Sequence, residues 1–324
     1  MIRRIVLCIL ATLLLVSCTT AQTEQKKITV GMPYIPNVQF AAFYVAKEQG
    51  FFAQEGLDVS FDYNFENDVV QRLATGAGIE FALASADTII LARAQNIPIK
   101  AVLATSQFFP VGFMSKQDLP LATPADLKGK VIGIPGRFGA SYFGLNALLA
   151  SAGLTEADVT IQEIGFNQTP ALIEDKVQVI SGYINNEPIQ LEKNGVAVNV
   201  LRVGDFFSVA SDHLIVSEAF IASDRATVQA FIRALRKGMQ ASIDDPTAAH
   251  ADALKQIPEA KQGDTVVSMA VLQATTPLWQ APNVSIGTIN PEAWKNSEQV
   301  LRNMGTLTQD IDISAGYELG LFEK

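Results

Sequence analysis

The stretch Ile28-Thr29-Val30-Gly31-Met32-Pro33-Tyr34-Ile35-Pro36-Asn37-Val38-Gln39-Phe40-Ala41-Ala42-Phe43-Tyr44-Val45-Ala46-Lys47 decides the fold class. Ile28 to Met32 is a short β-rich run, and the two prolines between Pro33 and Asn37 force a turn. From Phe40 the apolar spacing is helical, with Phe40, Phe43 and Tyr44 on related faces, and Gly50 stops the helix. The unit is strand, turn, helix, and it recurs. Leu57 to Tyr63 alternates as a strand, Asn67 to Thr75 reads as a helix ended by Gly76, and Phe81 to Ala84 as a buried strand. Asp87 to Gln95 is helical and Ile99 to Ala104 is a further strand.

A second block repeats the logic. Val111 to Met114, Val131 to Ile134, Val159 to Ile164, Val177 to Tyr183 and Val198 to Val203 read as strands. Helices are expected from the capped start Thr123-Pro124-Ala125-Asp126 and over Tyr142 to Ala152. Thr155 to Asp158 reads as a capped turn. From about His213 the composition turns helical. Ser223 is read as the cap of a segment in which Val228, Phe231, Ile232, Leu235, Met239 and Ile243 recur at three and four, broken at Asp245-Pro246. Asn290-Pro291 opens a last helix carrying Trp294, Leu301 and Met304. Alternating strands and helices imply an α/β protein with mostly parallel sheets covered on both faces. No internal repeat or low-complexity linker separates the blocks, so two interleaved lobes are expected.

The N-terminus sets the compartment. Arg3 and Arg4 precede an apolar run, Ile5 to Val16, that is short of the roughly 20 residues needed to span a bilayer. It runs into Leu15-Val16-Ser17-Cys18, which resembles the bacterial lipobox. The expected organisation is a signal peptide over 1–17, lipidation at Cys18, and a polar tether over 18–27. The protein is then an extracytoplasmic, membrane-anchored lipoprotein. Cys8 leaves with the signal peptide, so Cys-ligated metal, thiol chemistry and disulfides are excluded from the mature domain. Loss of Arg3 and Arg4 takes the formal net charge from −9 to −11. That charge disfavours nucleic acid and other polyanionic partners.

The opening stretch, followed by Gly50-Phe51-Phe52 and Glu55-Gly56-Leu57-Asp58-Val59, resembles the NMT1/THI5-like solute-binding proteins. Asp126-Leu127-Lys128-Gly129-Lys130-Val131-Ile132-Gly133-Ile134 is similar to the entry into their second lobe. The resemblance covers nearly the whole mature chain. It implies a type II periplasmic-binding-protein fold: two Rossmann-like lobes, 28–106 with 206–324 and 107–205, with a cleft between them. Within that family, Gly136-Arg137-Phe138-Gly139-Ala140-Ser141-Tyr142, Ile164-Gly165-Phe166-Asn167-Gln168 and Asn185-Asn186-Glu187-Pro188 are most similar to riboflavin-binding components of vitamin importers. Relatives that bind a formylaminopyrimidine precursor of thiamine share the pattern in part. The implied function is capture of a small molecule, riboflavin first, for an ABC permease, by a monomer without cofactor, metal or catalytic residues.

In such folds ligand sits where strands end and helix N-termini converge. Four loops meet that condition. In the first, Tyr34 and Phe40 offer ring faces and Asn37 and Gln39 hydrogen-bonding groups; the alternative is a turn fixed by two prolines. In the second, Ser85 faces ligand or caps the next helix, and Asp87 is read as a cap. In the third, Gly136 and Gly139 admit close backbone approach, the amides of Ala140 and Ser141 point inward, and Phe138 and Tyr142 add rings. It is neither a Walker loop nor Gly-x-Gly-x-x-Gly, and Arg137 is read as solvated. In the fourth, Tyr183, Asn185, Asn186 and Glu187 can read a heterocycle, or Asn186 and Glu187 simply start a helix. Alanine at Glu187 or Tyr183 is expected to weaken binding at nearly unchanged melting temperature. Asn167, Gln168 and Asp205 are further polar candidates, and Phe108, Phe109, Phe206 and Phe207 further rings.

Three other functions meet obstacles in the sequence. A pyrimidine synthase of the same family would need a cysteine-rich motif and iron ligands, yet the chain has two histidines, His213 and His250, far apart in sequence. No Gly-x-Ser-x-Gly or His-Glu-x-x-His occurs. A sulfonate or nitrate receptor would need bases converging on the cleft, and only Arg137 is so placed. A periplasmic sensor would need a signalling module, and none follows.

Overall fold

A computed structural model describes residues 24–258 and 263–321. The expectations for Arg3, Arg4, Ile5 to Val16, Cys8 and Cys18 lie outside the described residues. Among the described residues ten strands form two five-stranded mixed sheets of matching topology. The first contains β1 (Lys26–Met32), β2 (Leu57–Tyr63), β3 (Phe81–Ser85), β4 (Ile99–Ala104) and β10 (Asp212–Ser217), ordered β2-β1-β3-β10-β4. The second contains β5 (Val111–Lys116), β6 (Val131–Ile134), β7 (Thr160–Glu163), β8 (Val179–Tyr183) and β9 (Val198–Arg202), ordered β7-β6-β8-β5-β9.

In each sheet the strands of β-α units run parallel, each pair joined by a helical crossover. The exception is the strand that enters after the chain crosses from the other sheet. β10 is antiparallel to β3 and β4, and β5 is antiparallel to β8 and β9. The crossings lie between β4 and β5 and between β9 and β10.

β10 corrects the helical reading of the region from His213. His213, Leu214, Ile215 and Val216 are all buried. A strand covered on both faces loses the alternation that marks a half-exposed one. The tether shortens too: Lys26 and Lys27 pair with Leu57 and Asp58 in the sheet. The Lys26 ammonium reaches the Asp224 carboxylate while its backbone extends the strand.

Two caps move. The helix Glu218–Asp244 is capped by Ser217, which accepts from the Phe220 amide at 3.2 Å. It kinks at Asp224 (φ −151°, ψ 60°), whose carboxylate accepts from the amide (3.1 Å) and hydroxyl (2.7 Å) of Thr227. Asp224 rather than Ser223 therefore starts the amphipathic run; a carboxylate reaches the third amide as a neutral hydroxyl does and also suits the helix dipole. Asp245 ends one helix and caps the next, Pro246–Gln256, so the break is a corner. A further helix, Thr265–Thr275, escaped the sequence reading. Thr123 to Asp126 starts only a single 3-10 turn, stopped at Gly129 with φ 72°.

Packing fixes the frame around the cleft. Helix Ala41–Glu48 lies so close to Glu218–Asp244 that a Cβ at Gly238 would overlap the Ala42 carbonyl. Trp294, on helix Pro291–Asn303, is fully buried, and its indole N–H donates to His213 Nε2 at 3.1 Å. His213 Nδ1 is then the protonated nitrogen, donating to the Ser211 carbonyl at 2.9 Å. Burial lowers the pKa of this imidazole to about 4, so it is neutral. Among the described residues no helix is long and apolar enough to cross a membrane.

Candidate functional site

The parallel strands of both sheets end, and the antiparallel ones begin, on the edges that face each other. Asp212 stands opposite Ser85, and Val111 opposite Tyr183. A cavity of about 150 Å³ lies between these edges. Hydrogen bonds cross it, among them Tyr183 OH to Asp212 Oδ2 at 3.0 Å, Asn185 Nδ2 to Thr275 Oγ1 at 2.7 Å, and one between Tyr34 and Asn186. Rings close its rim. Tyr34 meets Phe166 edge-on at 4.7 Å, and Phe65 contacts both Phe166 (4.9 Å) and Phe138 (5.5 Å). Phe40 and Trp279 add further aromatic wall.

The polar groups are mostly acceptors. Glu66 Oε1 accepts from the amide and hydroxyl of Ser85 at 2.9 and 2.7 Å. Glu187 accepts from the Tyr183 amide at 2.6 Å and from Asn186 Nδ2 at 3.1 Å. Burial raises the Glu187 pKa to about 7, against these hydrogen bonds. Asp212 is likewise raised to about 7, by burial and then by the Glu66 charge, with the Tyr183 bond opposing. Asp87, behind the wall, is raised by burial and by Glu66. Burial and the Glu187 charge keep the Tyr34 phenol neutral. Asn185 Oδ1 is buried without a protein partner. Among the described residues no lysine, arginine or histidine lines the cavity.

Of the sequence candidates, Tyr34, Gln39, Phe40, Ser85, Phe138, Gly139, Ala140, Ser141, Tyr183, Asn185 and Glu187 line this cavity, as does Gln168. Four do not. Asn37 accepts from the Gln39 amide at 3.0 Å and starts a 3-10 turn. Tyr142 lies most of a turn into the helix Gly139–Ser151 and donates its hydroxyl to Glu156. Asn167 closes its own turn through the Ile164 carbonyl at 3.0 Å. Asn186 is buried behind Glu187, held also by Gln190.

Arg137 lies at the surface as read, its side chain 43% exposed, and pairs there with Glu156 and Glu163. Asp87 sits inside the first helical turn, and Ser85 holds the cap position. Phe108 and Phe206 are 49% and 44% exposed, whereas Phe109 packs on Phe143, so these rings serve no wall of the cavity. Asp205 ends a 3-10 turn away from it.

Glu66, Thr275, Trp279, Phe166 and Asp212 were missed. Glu66 follows the end of β2, so the strand-end rule would have found it. Asp212 begins the strand that was not recognised. Thr275 and Trp279 come from C-terminal helical segments, to which that rule does not apply.

Comparisons bear on this arrangement. A family model described as NMT1/THI5 like matches residues 37–249. The riboflavin-binding protein RibY of Chloroflexus aurantiacus is 44% identical over 302 residues, 92% of this chain and 86% of that one. A formylaminopyrimidine-binding protein of Halalkalibacterium halodurans is 30% identical over 256 residues, 76% of each chain. The alkanesulfonate-binding protein SsuA of Xanthomonas axonopodis pv. citri, solved bound to MOPS, superposes with a TM-score of 0.72 at 15% identity. The match covers 91% of this chain and 99% of that one, and shares the two-lobed fold.

Proposed function

The chain belongs to the NMT1/THI5-like family, and from that premise we propose that it is the extracytoplasmic solute-binding component of an ABC importer, and that its ligand is riboflavin. The observation that carries the ligand class is the pairing of aromatic walls with buried acceptors and no base. A flat tricyclic ring suits Tyr34, Phe40, Phe138, Phe166 and Trp279. Its ring N–H and the hydroxyls of its side chain are donors for Asn185 Oδ1 and the carboxylates of Glu66, Asp212 and Glu187. The 44% identity to a riboflavin-binding protein supports the same choice.

The mechanism is closure. Residues 28–106 with 206–324 act as one lobe and 107–205 as the other, swinging on the two crossings. Ligand selects the shut form because it touches both lobes. Cys18 carries the lipid that holds the monomer at the membrane beside its permease. A synthase reading fits less well, since His213 is committed to Trp294 and Ser211 rather than to the cavity.

Titration of riboflavin with the purified protein tests the reading: flavin fluorescence should be quenched at micromolar concentration or below. Absence of quenching together with calorimetric binding of a formylaminopyrimidine would replace riboflavin by that pyrimidine.

A further inference from the structure

Glu66 reaches from one lobe to the other. It is the first residue of helix Glu66–Thr75 in the first lobe, and Oε1 is anchored there by Ser85. Its Oε2 is pressed against Gly139 of the second lobe, where an added Cβ would overlap it. Gly139, with φ 64°, opens the 13-residue helix Gly139–Ser151, and Gly139, Ala140 and Ser141 line the cavity.

The N-terminus of such a helix presents free amides and the positive end of its dipole, and is a natural seat for an anion. Here the Glu66 carboxylate already lies against the first residue of that helix. Among the described residues no base lines the cavity to offset a second negative charge. Asp87 and Asp212 both feel the Glu66 charge, and Arg137 is turned outward to Glu156 and Glu163.

We propose that Glu66 is a specificity-determining residue: a tethered carboxylate that holds the anion seat of helix Gly139–Ser151 from across the cleft. The site thereby admits an uncharged, donor-rich ring compound and rejects phosphorylated or sulfonated ones. Only the choice of flavin probes rests on the riboflavin reading.

Riboflavin and flavin mononucleotide differ by one terminal phosphate, so their affinities are compared by calorimetric titration. Burying like charges together costs several kcal/mol, and the wild type should prefer riboflavin by roughly 100-fold or more. Glu66→Gln keeps the size and the acceptor for Ser85 but removes the charge, and should shrink that preference at least about tenfold. Glu66→Asp, which keeps the charge, should retain it. An unchanged preference in Glu66→Gln would overturn the proposal.

If the wild type binds no riboflavin, the ligand reading falls and ethanesulfonate decides the role of Glu66. A rise in melting temperature for Glu66→Gln but not for wild type supports the proposal. The same response in both, or none in either, overturns it. Should Glu66→Gln fail to fold, Glu66→Ala is judged on the same criteria.

Discussion

The Tyr183 hydroxyl donates a 3.0 Å hydrogen bond to the Asp212 carboxylate, joining the last residue of β8 in one sheet to the first residue of β10 in the other. Burial and the nearby charge of Asp212 hold the phenol far above its usual pKa, so the proton stays on Tyr183 and Asp212 accepts. Such a bond exists only while the facing edges meet. On the proposed closure it contributes to the free-energy difference between the shut and open arrangements rather than to the stability of either lobe.

Tyr183→Phe removes that donor and keeps the ring. A hydrogen bond to a charged group contributes about 1.5–3 kcal/mol, so ligand affinity should fall roughly tenfold or more. Calorimetry measures this, and unchanged affinity would remove the bond from the closure mechanism.

Stability should depend on pH in a defined direction. Asp212 and Glu187 are raised to about 7, and Asp87 is raised as well. A carboxylate with a raised folded pKa binds more protons folded than unfolded. Its contribution is complete below about pH 4 and is lost as pH rises through the folded value. His213, lowered to about 4 by burial, acts oppositely: it penalises the fold below about pH 6.5. Above that pH the carboxylates govern this balance, so the melting temperature should fall from pH 6.5 to 8.5. Asp87→Asn should flatten the decline, and a rise over the interval would contradict the assignment.

Glu187→Ala should do more than weaken binding. The carboxylate supports the Tyr183 amide and the Asn186 side chain and is packed on Gly182. Stranding those buried donors costs about 1–3 kcal/mol. The expectation of an unchanged melting temperature is therefore corrected: Glu187→Ala should melt several degrees lower, while Glu187→Gln, whose single oxygen can accept from only one of the two donors, should fall between alanine and wild type.

Trp279 lines the cavity, and Trp294, the other of the two tryptophans, is buried against His213 and Tyr317. Ligand should quench indole emission chiefly through Trp279. Trp279→Phe should abolish most of that change while binding, followed by calorimetry, weakens less than about tenfold, as expected when one ring replaces another in an aromatic contact worth about 0.5–1.5 kcal/mol. Equal quenching in the variant would place the ligand elsewhere.

Gly238→Ala tests the frame. The added methyl would meet the Ala42 carbonyl and Ala46 of the opposing helix, a backbone that cannot rotate away. Overpacking of this kind costs about 1–3 kcal/mol, and chemical denaturation should show it.

Much of this protein could be read in advance because its signals are local. Strand, turn and helix follow from period, proline and glycine, and the loops after β1, β6 and β8 were located by where their strands stop. Eleven of the fifteen ligand-binding candidates, Tyr183 and Glu187 among them, come together in one cavity. Asn37, Tyr142, Asn167 and Asn186 share the same loops but turn elsewhere, because a loop's position does not set the direction of each side chain.

The sequence by itself determined an alternating α/β chain with two blocks of strands and ring-rich, polar loops at their ends, since each of those features is written within a few neighbouring residues. Only the tertiary structure decided that β10 inserts between β3 and β4, that Asp212 faces Tyr183, and that Glu66 presses on Gly139. Those pairs lie far apart along the chain and meet because sheet order and helix packing bring them together, and no local pattern encodes a distance across a cleft.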